Sequence, residues 1–185
     1  KPDFVTSFIN LSQVYQILNR MPDAIATAKK GIQSHPNDGT LYTNLSWFNS
    51  LIDSHVEAIT AGKKAIALLP NESMGYTNLC RAYNDLKRYD LAVDSCTTAL
   101  NLSPNDGETN FYMARAMSFQ NKKDVAATHY KKAVKGLIEF TKNNPDYADG
   151  FYLLGNSYYE TDQMPEAISA FKKCLAISPG FTKAI

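Results

Sequence analysis

The chain has 185 residues, of which 44% are hydrophobic, and its 19 basic and 18 acidic residues leave a net charge of +1. This apolar content is enough to bury a sizeable core. The small net charge gives no long-range field that would attract nucleic acid or an anionic membrane surface. No apolar stretch approaches the roughly 18 residues that a membrane-spanning helix needs. We therefore expect an ordinary soluble chain with no nucleic-acid partner and no membrane insertion.

Prolines divide the chain at a regular interval. They stand 34 residues apart, except for one step of 41 residues, at Pro2, Pro36, Pro70, Pro104, Pro145 and Pro179. Short phrases recur as well, and MPDAI at 21–25 returns as MPEAI at 164–168. A period of this length indicates a repeat architecture. Alignment on the prolines predicts five repeats, at residues 5–38, 39–72, 73–106, 107–147 and 148–181.

Each repeat contains two apolar patterns with helical spacing. In the first repeat Phe8 and Leu11 fall on one face of a helix, and a second pattern begins at Pro22, which suits the first turn of a helix. We therefore predict a pair of helices in every repeat. The phrases PND and PNE between repeats are expected to cap the next helix, and Ser54 with Glu57 predicts a capping box.

Stacking the repeats predicts which positions pack. One column of the first helices is large and apolar: Leu11, Leu45, Leu79, Met113 and Leu154. The next column is small: Ser12, Ser46, Cys80, Ala114 and Gly155. One column of the second helices is alanine throughout: Ala24, Ala58, Ala92, Ala126 and Ala167. We expect the large column in the core and the small columns where helices approach closely.

The last repeat carries the residues that point to a family: Phe151, Leu154, Gly155, Tyr158, Ala167, Phe171 and Pro179. With them the chain resembles the tetratricopeptide repeat (TPR) family, whose pattern is an aromatic, Leu-Gly, Tyr, Ala, Phe and Pro. The resemblance implies an all-α, right-handed solenoid of antiparallel helix pairs, in one array over residues 1–185. Pro2 lies in the column that closes a repeat, and residues 182–185 resemble the opening of another. We therefore expect a piece of a longer array whose uncapped ends associate end to end.

The fourth repeat carries seven extra residues, within 136–144. Seven residues are two helical turns, so we expect its second helix to lengthen by about 10 Å without rotating its apolar face. Leu137, Ile138 and Phe140 then need cover. The fifth repeat is the favoured source, and a partner is the alternative.

Three cysteines, Cys80, Cys96 and Cys174, follow no metal-ligand spacing. We favour small core residues in a reducing compartment, and hence a cytoplasmic protein. A disulfide between Cys80 and Cys96 is the alternative, since they lie on the two helices of one repeat. The three histidines occupy unrelated places in the repeat, so we expect no metal site and no cofactor.

No motif of catalysis is present. The sequence has no glycine-rich phosphate loop, no HExxH and no nucleophile elbow, so we expect no enzyme activity. Paired lysines recur on the second helices at 29–30, 63–64, 131–132 and 172–173. A solvated outer face is the favoured interpretation of these pairs, and a basic stripe for an acidic partner is the alternative.

The resemblance implies a binding groove, because in TPR arrays the first helices line a concave surface that holds peptides. Asn10, Asn44 and Asn78 recur there once per repeat. This column is similar to the asparagine ladder in the TPR superhelix of O-linked N-acetylglucosamine transferases, which implies amides that hold a ligand backbone. For that role the amides must be unburied. The equally weighted alternative is that they bond neighbouring helices or water.

Further groove residues are expected one helical turn along, namely Gln13, Trp47, Arg81, Arg115 and Asn156. Beside them, towards the last repeats, we expect an aromatic part of the groove with Phe111, Tyr112, Phe119, Tyr152 and Tyr159. Contact between successive repeats is the alternative for the aromatic ones. A carboxylate clamp of the chaperone-binding kind is not expected, because only its middle asparagine is present.

We interpret the sequence as a protein–protein interaction scaffold that binds a peptide segment of a partner in its groove. One alternative is a substrate-docking or regulatory arm of a larger enzyme, such as a glycosyltransferase or a kinase. Another is a structural unit whose contacts are end to end.

Overall fold

A computed structural model describes residues 4–180, which form ten α-helices and no strand. The helices are α1 Val5–Ile17, α2 Met21–Ser34, α3 Gly39–Leu51, α4 His55–Leu68, α5 Ser73–Asp85, α6 Tyr89–Leu102, α7 Gly107–Phe119, α8 Lys123–Asn143, α9 Ala148–Tyr159 and α10 Met164–Ile177. Each predicted repeat contains two of them. The all-α class and the helix-pair architecture are therefore confirmed.

The two helices of a repeat run antiparallel, as close contacts at two glycines show. A Cβ on Gly39, at the start of α3, would lie 2.5 Å from Cγ of Leu69, which directly follows α4. A Cβ on Gly107, at the start of α7, would lie 2.5 Å from the backbone nitrogen of Leu137 in α8. Glycine at these two positions lets the start of a first helix approach the far part of its second helix.

The contacts divide the chain into two compact units, residues 1–102 and 103–185. In unit 1, which holds α1 to α6, each helix packs on the next, and α3 also packs on α1 and α5. In unit 2, which holds α7 to α10, each helix likewise packs on the next, and α7 packs on α9. The single array over residues 1–185 stays a prediction.

The turn inside each repeat has the same backbone form. One residue of each turn has a positive φ, between 55° and 62°, at Asn19, Asp53, Lys87, Asn121 and Asp162. After α1, the Asn19 N–H donates to the Gln16 carbonyl and the Arg20 N–H donates to the Tyr15 carbonyl. This pair of bonds is the Schellman motif, which ends a helix at a left-handed residue. The turn thus ends every first helix at the same place in the repeat.

Burial follows the predicted columns with one exception. The small column and the alanine column are buried in every repeat, and the large column is buried from the second repeat onward. Leu11 in α1, however, is 45% exposed, so its predicted burial is wrong. In later repeats this position is covered by the helix pair of the preceding repeat. Among residues 4–180, no helix pair precedes α1.

The insertion lengthens the second helix of the fourth repeat, as predicted. α8 has 21 residues, whereas each of the other second helices has 14. Leu137 is buried, and the Phe140 ring lies 5.5 Å from the Tyr147 ring and 3.1 Å from a Cβ placed on Gly150 of α9. Ile138 stays about half exposed. The fifth repeat therefore contributes to the cover of the extra apolar surface, which was the favoured interpretation.

The predicted helix caps are confirmed in part. The Asp38 carboxylate accepts from the Leu41 N–H at 3.0 Å, and the Asp106 carboxylate accepts from the Thr109 N–H at 2.7 Å. The capping box at Ser54 is wrong, because the Ser54 side chain makes no capping bond. Its ψ of 64° follows directly from the preceding turn and departs from the extended backbone that an N-cap serine adopts.

Cys80 and Cys96 form a disulfide between α5 and α6, whereas Cys174 is a free buried thiol. The favoured interpretation of reduced cysteines is therefore wrong for this pair. The register of the repeat explains the bond, because the same two positions meet elsewhere. A Cβ on Gly62 would lie 3.0 Å from the Ser46 hydroxyl, and both residues are one repeat earlier. The expectation of a reducing compartment loses this support, and the cytoplasmic location stays a prediction.

Two predictions fall outside the described residues. Pro2 as the close of a preceding repeat and residues 182–185 as the opening of a following one both lie beyond residues 4–180. They stay predictions.

The left-handed turn predicts a stabilising substitution at Lys87. A left-handed backbone costs a side chain with a Cβ about 1–2 kcal/mol, which glycine avoids, although glycine gains entropy in the unfolded chain. Lys87→Gly should therefore raise the free energy of unfolding by about 0.5–1 kcal/mol in urea titrations.

Asn121 occupies the same turn position in the fourth repeat and serves as the control. Asparagine tolerates this conformation well, so Asn121→Gly should change stability by less than about 0.5 kcal/mol. Destabilisation by Lys87→Gly would show that residue 87 does not have a positive φ.

Candidate functional site

The first helices adjoin one another inside each unit, so equivalent positions come side by side. We call the surface formed by α1, α3 and α5 in unit 1, and by α7 and α9 in unit 2, the first-helix face of that unit. It contains these nine of the predicted binding residues: Asn10, Gln13, Asn44, Trp47, Asn78 and Arg81 in unit 1, and Tyr112, Arg115 and Tyr152 in unit 2.

The asparagine column is accessible only at its first member. Asn10 is exposed, whereas Asn44 and Asn78 are buried. The Asn78 amide nitrogen in α5 donates to the Thr43 carbonyl in α3 at 3.0 Å. The expectation of three unburied amides is therefore wrong, because neighbouring first helices lie close enough for an asparagine to bond the adjacent backbone. For Asn78 this is the alternative role, a bond between helices.

The other predicted residues of unit 1 are less accessible than expected. Arg81 is 2% exposed, so it is not a surface cation. The sequence could not show this, since arginine is almost never fully buried. Gln13 and Trp47 are half-buried, and the Trp47 ring lies 5.3 Å from the Phe48 ring. The Asn44 amide nitrogen is buried without a hydrogen-bond partner in the described part of the chain.

In unit 2 the predicted aromatic residues pack inside their own repeats. Tyr112 is buried beside Phe111, with ring centroids 5.2 Å apart, and Phe111 lies 6.0 Å from Tyr130. Tyr152 is half-buried, 6.3 Å from Phe171. Tyr112 is therefore a core residue and not a surface one. The contacts of Phe111 with Tyr130 and of Tyr152 with Phe171 join the two helices of one repeat, whereas the alternative had been contact between successive repeats.

Two aromatic side chains of unit 2 remain largely in solvent. Phe119, the last residue of α7, is 61% exposed, and Tyr159, the last residue of α9, is 56% exposed. Arg115, one helical turn before Phe119, is half-buried. Asn156 is half-buried too, and its amide donates to the Tyr152 carbonyl at 2.8 Å. We call Arg115, Phe119, Asn156 and Tyr159 the aromatic patch.

Tyr130 of α8 connects the two helices of this patch. Burial raises the pKa of Tyr130 to about 12, and the Glu160 carboxylate also raises it. A hydrogen bond with Ser118 and the charge of Arg115 act in the opposite direction. The pKa of this hydroxyl is thus influenced by residues near the ends of both α7 and α9, two helices that pack on each other. The hydroxyl keeps its proton at neutral pH.

A polar pair of a buried asparagine and a half-buried histidine stands where the repeat normally has an aromatic residue. Asn110 is fully buried, its amide nitrogen donates to the Asp106 carbonyl at 2.8 Å, and its oxygen lies 2.9 Å from His129 Nδ1. Because Asn110 uses its nitrogen as donor, its oxygen accepts from Nδ1–H of His129. Sequence reasoning missed this pair. The signal was Asn110 itself, because the other four repeats have a phenylalanine or a tyrosine at its position.

The described residues offer little basis for metal or thiol chemistry. Within residues 4–180, no group of three or more His, Cys, Asp or Glu side chains could hold a metal ion. Burial raises the pKa of the Cys174 thiol to about 11, and the Asp149 carboxylate adds to this effect. The thiol therefore stays protonated and weakly nucleophilic at neutral pH. Among the helices of the described chain, none has the length and apolar character that crossing a bilayer requires.

Family models for the tetratricopeptide repeat match two segments, residues 75–106 and 148–181. These correspond to the third and fifth predicted repeats. No curated protein matches the sequence.

Many solved structures are similar in fold at low sequence identity. A thermophilic TPR protein of Thermus thermophilus is 18% identical with a TM-score of 0.72, over 97% of this chain and 94% of that one. YrrB, described as a TPR protein with an unusual peptide-binding site, is 21% identical with a TM-score of 0.58, over 96% of this chain and 88% of that one. A chain of the Cut9–Hcn1 complex of APC/C reaches a TM-score of 0.77 at 18% identity, over 97% of this chain and 35% of that one.

The pair of Asn110 and His129 predicts a pH effect on stability. Burial lowers the pKa of His129, and the Lys132 ammonium lowers it further. The unfolded chain, with an ordinary histidine pKa of about 6.5, therefore binds this proton more readily than the folded chain. The neutral pair contributes its full stabilisation above the pKa of the unfolded chain. This contribution is lost as the pH falls towards the pKa of His129 in the folded chain.

His129→Gln supplies a test, because glutamine can donate to Asn110 but does not titrate. Between pH 7.5 and pH 5.5, urea titrations should show a larger loss of stability in the wild type than in His129→Gln. Equal losses in the two proteins would contradict a lowered His129 pKa.

Proposed function

The chain is a tetratricopeptide repeat protein, and from this premise we propose that it is an interaction scaffold that binds a peptide segment of a partner on the first-helix face of unit 2. TPR repeats are generally modules that bind proteins or peptides, and YrrB, similar in fold, is described as having a peptide-binding site. The peptide, its place on the face and the residues that hold it are our proposal.

The observation that carries the proposal is the exposure of Phe119 and Tyr159. Both are large aromatic residues at the ends of adjacent helices, and both are more than half in solvent. Aromatic residues that stand together at a surface are typical anchors of protein interfaces, where tyrosine and arginine are enriched.

The polar groups of the patch suit a peptide backbone and an acidic side chain. Arg115 is half-buried, so a bidentate hydrogen bond to a carboxylate would be partly shielded from water. Glu160 lies close enough to affect Tyr130 and limits this preference, because its negative charge opposes a second carboxylate. We therefore expect a peptide with an apolar anchor, and with at most one acidic residue near Arg115.

On unit 1 the accessible predicted residues are Asn10, Gln13 and Trp47, and we propose them as contacts for a peptide on that unit. Asn78 and Arg81 are too buried to meet a ligand without a rearrangement of the face. The unpaired amide of Asn44 would gain a hydrogen bond if such a rearrangement admitted a peptide carbonyl.

We propose no catalytic role for the chain. The buried thiol with a raised pKa and the pair of buried Asn110 and half-buried His129 are explained by the packing of unit 2. TPR modules are generally non-catalytic, and the aromatic patch offers donors and anchors without a nucleophile.

Peptides selected from a random displayed library against the intact chain provide the test. Binding of a selected peptide is measured by fluorescence anisotropy for the wild type and for Phe119→Ala with Tyr159→Ala. Loss of two aromatic anchors should weaken binding by about one to two factors of ten, at 1.4 kcal/mol per factor.

Val56→Ala is the matched control, since Val56 is 68% exposed on a second helix, away from the first-helix face. It should leave the affinity within about threefold. Selected peptides that bind the double variant as tightly as the wild type would contradict the proposal.

A further inference from the structure

The long helix α8 carries a basic face that the other second helices lack. Lys131, Lys135, Ile138 and Lys142 follow one another at i, i+4, i+7 and i+11, which places them on one side of the helix. We call these four residues the basic face. The other second helices have no lysine at the position of Lys135, and they end before the positions of Ile138 and Lys142. Because the insertion is two helical turns long, it continues the direction of Lys131 and Lys135.

The basic face is in solvent. All four of its side chains are exposed, and Ile138 is 46% exposed. The opposite side of α8 is buried, at Tyr130, Ala133, Leu137 and Thr141. α8 belongs to the fourth of five repeats, and both α7 and α9 pack on it. The exposure of the basic face therefore does not come from an end of the chain.

The basic face has an excess of positive charge. Within residues 131–142, four lysines and the single acidic residue Glu139 leave a net charge of +3. None of these lysines forms an ion pair with another residue of the segment 4–180. The charge is therefore available to carboxylates of another molecule.

The spacing of the basic face matches a second helix. Alternating steps of four and three residues form the seam along which two helices pack side by side. From Lys131 to Lys142 this seam is about 16 Å long, at 1.5 Å per residue. Ile138 and the half-buried Val134, one turn before it, supply apolar contact. The lysines flank this contact, as charged residues flank the seam of a coiled coil and select a partner of opposite charge.

We propose that the basic face of α8 docks an amphipathic helix of a partner protein, in which glutamate or aspartate flanks the apolar residues. An apolar side chain of that helix contacts Ile138, and its carboxylates pair with Lys131, Lys135 and Lys142. This surface lies on a second helix, whereas the aromatic patch lies on first helices. The proposal is therefore independent of the peptide site.

Glu139 favours a protein partner over an anionic membrane. Its side chain is exposed, one helical turn from both Lys135 and Lys142. A uniformly anionic surface would repel this carboxylate, whereas a partner helix can place a basic residue opposite to it. Ile138 alone also offers little apolar area for insertion among lipids.

Two synthetic helical peptides test the proposal. Both are alanine-based and fluorescently labelled, and both carry leucines along one seam. Glutamates flank the seam in the acidic probe, and lysines replace them in the basic probe. Binding to the intact chain, at up to about 1 mM, is measured by fluorescence anisotropy in about 0.15 M salt. The acidic probe should bind and the basic probe should not. Salt raised to about 0.5 M should weaken binding, because the paired charges are exposed.

Variants of the basic face locate the binding. Lys135→Glu with Lys142→Glu should weaken binding of the acidic probe by about tenfold or more, because two attractions become repulsions. The neutral variant, Lys135→Gln with Lys142→Gln, should weaken it by about threefold and provides the test if the reversed variant folds poorly. Ile138→Ala should weaken it by about fivefold through lost apolar contact. Lys63→Glu with Lys64→Glu is the matched control, at an exposed lysine pair of α4, and should leave the affinity within about twofold.

The variant Phe119→Ala with Tyr159→Ala should bind the acidic probe like the wild type, which separates this surface from the peptide site. The proposal is overturned if the acidic probe does not bind, or if the basic probe binds as tightly. It is also overturned if the lysine variants or Ile138→Ala keep the wild-type affinity, or if the α4 control loses as much affinity as the reversed variant. Binding to phosphatidylserine vesicles without binding to the acidic probe would overturn it in favour of a membrane surface.

Discussion

The structure depends on one recurring contact between the two helices of a repeat. The small position of the first helix meets a fixed position of the second, and the two side chains together have a limited volume. Ser46 faces Gly62, Cys80 is bonded to Cys96, and a Cβ on Gly155 would lie 2.6 Å from the Phe171 ring. In the fifth repeat the large partner, Phe171, is matched by a glycine. This contact determines how close the helices of a repeat lie and, with the left-handed turn, keeps the repeats in register.

Close packing has a direct effect on function. Where first helices lie close together, polar side chains form hydrogen bonds with the backbone of the same helix or of the neighbouring one. Asn110 and Asn78 are the respective examples. A polar residue in the middle of a first helix is therefore a poor indicator of a binding site in this chain. The helix ends are less constrained, and there Phe119 and Tyr159 remain in solvent. The functional hypothesis thus moves from the asparagine column to the ends of α7 and α9.

The sequence predicted the elements that depend on the period. The presence of a helix pair in every repeat, the small columns and the longer α8 follow from residue spacing alone, because each repeat meets the same neighbours. It could not predict features that depend on distance across the fold. The burial of Arg81 and the bond from Asn78 to Thr43 require the spacing of adjacent helices. The exposure of Leu11 depends on the absence of a covering helix pair within the described residues, although its column predicted a core residue.

The central claim is that a residue of a packing column stabilises the fold because a neighbouring repeat buries it. A comparison of Leu11 with Leu79 tests this claim. Both are leucines of the same column, one 45% and the other 4% exposed. In urea titrations at low protein concentration, Leu79→Ala should lower the free energy of unfolding by about 2–5 kcal/mol. Leu11→Ala should lower it by less than about 1 kcal/mol. Equal losses at the two positions would contradict the account.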